Sequence, residues 1–485
     1  MFYFWIVSFL GGIIIGLLGG GTIEIALWIL LTTGFLLVWL LRYWLSVALC
    51  GVLMLVGIWR GQSFEITRLP FQEDEIVQVQ GVVQSLSEAK GENRRYRIGD
   101  ITAESKITGL IMDQYDFYLY VPYVRSIPFG STISLTTKVQ AIEPFLTETG
   151  KIFLYDHFLE TRGVIGSIRF PRSLFVNDEI PQEKSFLITI KKRFVEQINT
   201  LFSFPNAPLL SGVLLGVVDT LGEKRLDDFR IAGLIHIVVL SGSNIAIIIE
   251  AVRRSLPLRR HFSIIVAGAF IFMFVMMVGP EASIVRAAIM AYVSLLAQAT
   301  YSHYSVYRSL WMTIVGMVAW SPGIILYDPS FILSALATMG MVYVNPIFER
   351  RFSLIPERFE MRFIMASTCA TYIAVLPYIT YSMGKVSIVS LGVNLITLPL
   401  VPWIMLGGFV ATCVSFMSEF LARPLVLITE VLLTYIQKIV EIFANLPFAE
   451  VSFSMGMELM LLLYVSLVVW FLIIKRGRPE REGSK

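Results

Sequence analysis

The chain has 485 residues, 56% of them hydrophobic and 15% charged, where an ordinary soluble chain has about 25% charged residues. These proportions exclude a soluble globular enzyme, and a formal net charge of +3 excludes a global basic field, so any charge that matters is local. Cys50, Cys369 and Cys413 lie far apart in apolar stretches, and His157, His236, His261 and His303 never recur at ligand spacing. No disulfide framework, metal site, cofactor or catalytic residue is expected.

Three apolar segments open the chain, at 2–18, 23–41 and 43–59, separated by Gly19-Gly20-Gly21 and Arg42-Tyr43. Each has about the length that crosses a hydrocarbon core as a helix. The start lacks the basic n-region of a secretory signal. From 60 to 184 charges become frequent and apolar residues alternate, as in Ile133-Ser134-Leu135-Thr136-Thr137-Lys138-Val139. Such alternation marks half-buried strands, and Gly81, Gly91, Gly99, Gly109 and Gly130 punctuate them. A small antiparallel barrel of five or six strands is expected here. In Tyr115-Asp116-Phe117-Tyr118-Leu119-Tyr120-Val121, Tyr115, Phe117 and Leu119 fall on the core face and Tyr118 and Tyr120 on the other. With Arg94, Arg95 and Arg97, the two outer tyrosines are a candidate strand-binding surface. Against that, the insert carries 14 Lys and Arg but 17 Asp and Glu, which suits a structural or assembly role equally well.

After Pro181, a basic amphipathic segment with Lys191, Lys192 and Arg193 leads into a second membrane block. Its expected spans are 231–252, 261–279, 282–299, 308–325, 331–347, 363–382, 387–415, 424–446 and 456–474. Apolar residues 207–218 are too few to cross and read as re-entrant or interfacial. Arg42, the Arg253-Arg254 and Arg259-Arg260 pairs, Arg350, Arg351, Arg358, Arg362, Lys475, Arg476 and Arg478 fall on one side if both termini are cytoplasmic. The fold class read from this pattern is a polytopic α-helical membrane protein of about twelve spans with an inserted extracytoplasmic β-barrel. Its parts are N-terminal transmembrane helices (1–59), the β domain (60–184), a transmembrane channel domain (185–474) and a basic cytoplasmic tail (475–485).

Three stretches in the second block carry polar chemistry. In Gly233-Leu234-Ile235-His236-Ile237-Val238-Val239-Leu240-Ser241-Gly242-Ser243-Asn244-Ile245, a small polar cluster interrupts an apolar run. Glycine lets a backbone or substrate approach closely, and helix packing through small residues uses the same composition. His236 either hydrogen-bonds a neighbouring helix or serves function, because ionisable groups are costly within a membrane. Arg286 lies in the first turns of a span, with Glu281 five residues earlier. It faces a pore or partner, or snorkels to the membrane edge. Asp328-Pro329 reads as a helix start, with Asp328 as cap or functional group.

The string Gly233–Ile245, preceded by Leu226-Asp227-Asp228-Phe229-Arg230, resembles the signature of the ComEC-type competence family, polytopic proteins thought to pass one strand of transforming DNA across the cytoplasmic membrane. Four further stretches resemble family patterns. They are Phe153–Val164, Ser283–Met290 (Ser-Val-Leu-Arg-Ala in the family), Asp328–Ser334 (Asp-Pro-Ser-Phe-Gln-Leu-Ser) and Asn394–Pro402. The chain departs in carrying Ser243-Asn244 where family members usually have Leu-His.

The resemblance implies an oligonucleotide-binding (OB-like) barrel and a channel for single-stranded DNA in a bacterial cytoplasmic membrane. His236, Ser241, Gly242, Ser243, Asn244, Arg286, Asp328 and Asn394 would lie at or near the path. The longer members' metallo-β-lactamase-like nuclease domain is not expected in this chain, so a separate DNA receptor, nuclease and cytoplasmic motor would act with it, alongside membrane lipid. Two other readings stay open. One is a transporter or flippase for a lipid or small anionic solute. The other is a membrane scaffold whose outer β domain binds partners.

Overall fold

In a computed structural model of the chain, the described residues are 2–18, 44–62, 75–84, 88–90, 93–105, 111–122, 127–128, 130–147, 150–171, 173–177, 182–217, 221–239, 242, 244, 247, 260–279, 281–355 and 361–476. They divide into two compact units. The first comprises Met1–Phe145, Ile152–Ile190 and Ile289–Ile332; the second comprises Leu146–Lys151, Lys191–Ala288 and Leu333–Lys485.

The first unit opens with two helices, Phe2–Leu18 and Trp44–Gln62, at the expected spans 2–18 and 43–59. The expected span 23–41 lies outside the described residues. Gly12 and Gly16 on one helix, and Gly57 and Gly61 on the other, sit where the backbones touch. A Cβ on Gly12 would meet the Met54 carbonyl oxygen at 2.2 Å, and one on Gly57 the Phe9 carbonyl oxygen at 2.3 Å. Such small-residue spacing lets apolar helices associate without a hydrophobic driving force. Arg60 then donates to the carbonyls of Ala319 and Trp320 at 2.9 and 2.8 Å, satisfying the C-terminal end of the helix Val306–Trp320.

The β domain uses strands β1 (Ile76–Val83), β2 (Glu88–Lys90), β3 (Asn93–Ser105), β4 (Ile111–Pro122), β5 (Thr132–Ala141), β6 (Phe145–Leu146), β7 (Ile152–Phe153), β8 (Val164–Arg169) and β9 (Ser173–Asn177). The order β1-β3-β4-β8-β5 closes through a β1–β5 pairing, giving a five-stranded barrel, with β9 added beside β5 and β2 beside β3. Alternation sends Val77, Val79, Val83, Ile98, Phe117, Leu119, Ile133, Leu135 and Ile168 into one core. One feature departs from the antiparallel expectation: β4 and β8 pair in parallel. A parallel neighbour requires a crossover connection. The chain between them supplies one, containing β5 and a short helix, Tyr155–Glu160.

Among the described residues, five helices are long and apolar enough to cross a membrane: Ala282–Ala299, Pro329–Arg351, Met361–Ser382, Ser390–Ser415 and Met457–Ile474. They coincide with five expected spans. The other expected spans in the second block take different forms. Residues 308–325 become the 15-residue helix Val306–Trp320, and the described part of 231–252 holds a four-residue helix, Ile235–Val238. Residues 261–279 become Arg260–Val278, whose apolar stretch, Ile264–Val278, is a shorter one. The 26-residue helix Glu419–Ala444 covers 424–446 but carries Glu430, Lys438 and Glu441. The total of about twelve crossings therefore rests on the sequence.

The helix Asn206–Leu215 is buried at all ten positions. At about 1.5 Å per residue it is too short to cross, as the re-entrant reading expects. Its Leu209, Leu210, Val213 and Leu214 share a core with Ile404, Met405, Ala411, Leu433, Ile436 and Val440.

Candidate anion site among the membrane helices

Arg286 occupies the second turn of the helix Ala282–Ala299 and is 8% exposed. Its Nε donates to Ser334 Oγ at 3.0 Å and its Nη1 donates to Thr338 Oγ1. Ser334 and Thr338 are four residues apart on the helix Pro329–Met339, which places both hydroxyls on one face. The Thr338 hydroxyl in turn donates to the Ser334 carbonyl at 2.9 Å. Immediately after Thr338 and Met339 the helix widens to a π-helical segment, Gly340–Val344, a form that often marks functional sites.

Gly242 approaches the same arginine. A Cβ there would lie 3.3 Å from Arg286 Nη2 and 3.1 Å from Ala287 Cβ, so any larger residue would crowd the guanidinium. Gly242 of the polar cluster and Arg286 are thus brought together; Ser241 and Ser243 lie outside the described residues. Among the described residues no carboxylate forms an ion pair with Arg286. Burying a charge costs several kcal/mol after relaxation, and two neutral hydroxyls return only part of that.

The remaining candidates in the second unit surround this core differently. Asn244 is 2% exposed and its Nδ2 donates to the Val213 carbonyl at 3.2 Å, on the fully buried short helix. Asn394 is also buried; its Nδ2 donates to Ser390 Oγ at 3.3 Å, while its Oδ1 has no hydrogen-bond partner. His236 is exposed on its short helix.

Asp328 belongs to the first unit and does two things there. Its Oδ1 accepts from the Ser330 and Phe331 backbone N–H groups at 2.9 and 3.3 Å, capping the helix that follows. Its Oδ2 lies 3.9 Å from Arg162 Nη2. The Arg162 guanidinium covers the Phe158 ring at 4.4 Å, and the His157 ring lies 4.7 Å from that of Tyr327. Two stretches quoted for the family resemblance, 153–164 and 328–334, therefore meet.

On the barrel, β3 and β4 pair Arg95 with Tyr120 and Arg97 with Tyr118. Phe117 and Leu119 are fully buried in the barrel core and Tyr115 packs against it. The opposite face is covered too: Tyr118, 9% exposed, packs with Leu159 and Val164, with Tyr120, Tyr155 and Phe158 against them. The Arg95 guanidinium lies 4.4 Å over the Tyr118 ring. Arg97 donates to Asp116 Oδ2 at 2.6 Å and to the Arg162 carbonyl at 2.7 Å. Burial pushes the Tyr155 hydroxyl up from its ordinary value, and Arg95, 3.4 Å away, opposes that shift. In the candidate strand-binding surface Arg95, Arg97 and Tyr118 are thus engaged by the protein itself, while Arg94 and Tyr120 are half-buried.

Sequence reasoning missed Ser334 and Thr338 as partners of Arg286. The signal was present, since two hydroxyl residues spaced four apart within an apolar span mark one polar helix face.

A profile of the family described as Competence protein matches residues 213–478. ComE operon protein 3 of Bacillus subtilis (strain 168) is 18% identical over 291 residues, covering 59% of this chain and 37% of the relative. The chain thus spans less than two thirds of the length of that curated relative. No solved structure matches. The profile covers more than half of the chain and includes Gly242, Arg286, Ser334 and Thr338, so the chain belongs to the competence protein family.

Proposed function

We propose that the chain acts in DNA uptake, as a route by which single-stranded DNA crosses the cytoplasmic membrane, with Arg286 as the positive group on that route. The observation that carries this reading is a buried arginine inside a helix long and apolar enough to cross a membrane, held by hydroxyls and, among the described residues, not paired with a carboxylate. A strand of phosphodiesters needs a wet and mildly cationic lining; too many fixed cations would hold it. One guanidinium backed by neutral hydroxyls, with Gly242 leaving room beside it, meets that need. The Asn394 oxygen, which has no hydrogen-bond partner among the described residues, and His236 supply polar groups within the same unit. The closed five-stranded barrel, with a parallel pair among its described strands, supports the oligonucleotide-binding-like reading, and its covered aromatic face favours a positioning role over direct strand capture. Both termini on the cytoplasmic side, the barrel outside, and a separate receptor, nuclease and motor complete the proposal.

Replacing Arg286 with Leu should lower entry of labelled DNA into a nuclease-resistant state by about a hundredfold, the scale of losing a buried charge contact of 2–5 kcal/mol. Arg286→Lys should retain part of it. Membrane insertion, read by protein abundance in the membrane fraction, should be unchanged. Normal DNA entry with Arg286→Leu would remove the assignment, and loss of a small anion's transport instead of DNA entry would favour a solute transporter.

A further inference from the structure

The second unit holds a cleft of about 460 Å³ between the turn Ser203–Asn206, the helix Glu223–Ile231 and the last turns of Glu419–Ala444. That volume lies within the range of sites for small organic ligands. Its floor is a chain of hydrogen bonds. Arg225 Nη1 donates to Gln437 Oε1 at 2.8 Å, Gln437 Nε2 donates to Asn206 Oδ1 at 2.6 Å, and Asn206 Nδ2 donates to Thr434 Oγ1 at 2.9 Å. Asn206 is 4% exposed, so the network is anchored in the core and holds Arg225 in place. The Arg225 guanidinium covers one side of the Phe204 ring at 5.4 Å, and Phe204 is itself 69% exposed.

Lys224 and Lys438 also line the cleft and are exposed. Neither forms an ion pair with another described residue. Three cations thus stand against Asp228 and Glu441, a modest positive excess. An aromatic face, amide donors and acceptors, and ammonium and guanidinium groups in one cleft make up the chemistry that recognises a nucleotide. The ring stacks a base, the amides meet its edge, and the cations take the phosphate.

We infer that this cleft binds one nucleotide unit, with the phosphate held by Lys224, Arg225 and Lys438 and the base against Phe204. Its occupant is either a residue of a DNA strand or a free nucleoside monophosphate. The strand as occupant rests on the uptake reading; the site does not. The near balance of charge suits weak, reversible holding.

The test uses the full-length protein in nanodiscs of zwitterionic lipid, with a fluorescent short oligodeoxythymidylate and with thymidine monophosphate as separate probes. Lys224→Gln with Lys438→Gln should weaken oligonucleotide binding by about tenfold and flatten its salt dependence. Phe204→Ala should weaken it by about fivefold and leave the salt slope unchanged, because stacking is not electrostatic. Binding of thymidine monophosphate reports on the cleft whatever the outcome of the DNA-entry assay, which separates failure of the cleft from failure of the transport reading. Equal affinity of the monophosphate and the oligonucleotide would assign the site to free nucleotides. Unchanged binding of both probes in the lysine pair variant and in Phe204→Ala would overturn the inference, as would the absence of any binding by the parent.

Discussion

The barrel and the helical block treat arginine in opposite ways. In the barrel, Arg97 is matched by Asp116, Arg95 lies on Tyr118, and Arg162 lies on Phe158 within reach of Asp328. Each positive charge has been spent on holding the fold. In the helical block, Arg286 is more deeply buried yet, among the described residues, is held by the hydroxyls of Ser334 and Thr338 and by no carboxylate. A paired arginine offers little to a passing anion, because its field is already cancelled at short range. An arginine held by hydroxyls is oriented but not neutralised. The difference separates residues that build the protein from a residue that, on the proposed route, acts on a passing strand.

Several substitutions sharpen this contrast. The largest opposition is between Arg286→Leu and Arg97→Leu. The first should lower DNA entry by about a hundredfold and leave the unfolding midpoint of the barrel where it was. The second should lower barrel stability by about 1–3 kcal/mol, the scale of a charge-assisted hydrogen bond left without its partner and discounted for partial exposure; thermal unfolding in detergent measures it. Asp328 should give a smaller effect. Asp328→Ala loses the helix cap and costs about 1 kcal/mol, whereas Asp328→Asn keeps the cap and loses only its long contact with Arg162 at 3.9 Å, within about 0.5 kcal/mol of the parent.

The smallest effect is a pH dependence. The Tyr155 hydroxyl titrates above its ordinary value of 10.0 in the folded protein, so folding favours its neutral form. That contribution is full below pH 10 and is lost as pH rises through the raised value. Comparing unfolding midpoints of the parent and Tyr155→Phe across that window checks it: the two curves should converge only on the alkaline side.

Much of the architecture could be read from local pattern. The alternation of Val77, Val79, Ile133 and Leu135 announced a barrel because a strand's side chains repeat every second residue. Five crossing helices announced themselves by length. What local pattern cannot carry is long-range pairing. Arg286 was conspicuous as a charge within a span, but its partners lie 48 and 52 residues away. Local pattern places Tyr118 and Tyr120 on the outer face of β4, but the segment from Tyr155 to Val164 that packs on that face comes more than thirty residues later. The cleft was missed for the same reason, since Asn206 and Gln437 are 231 residues apart. The helix Glu419–Ala444 shows a further limit. Its apolar residues suggested a span, while Thr434, Gln437 and Lys438 form a polar edge that only packing against Asn206 and Arg225 explains.

The contrast between spent and available charge can be tested without removing the arginine. Ser334→Asp supplies a carboxylate that no described residue gives the Arg286 site, at the position already bonded to Arg286 Nε. It should form an ion pair there, keep the protein abundant in the membrane and lower entry of labelled single-stranded DNA by about a hundredfold, as far as Arg286→Leu does. DNA entry at the parent level with Ser334→Asp would contradict it, because Arg286 would then be a packing residue whose charge does no work on a strand.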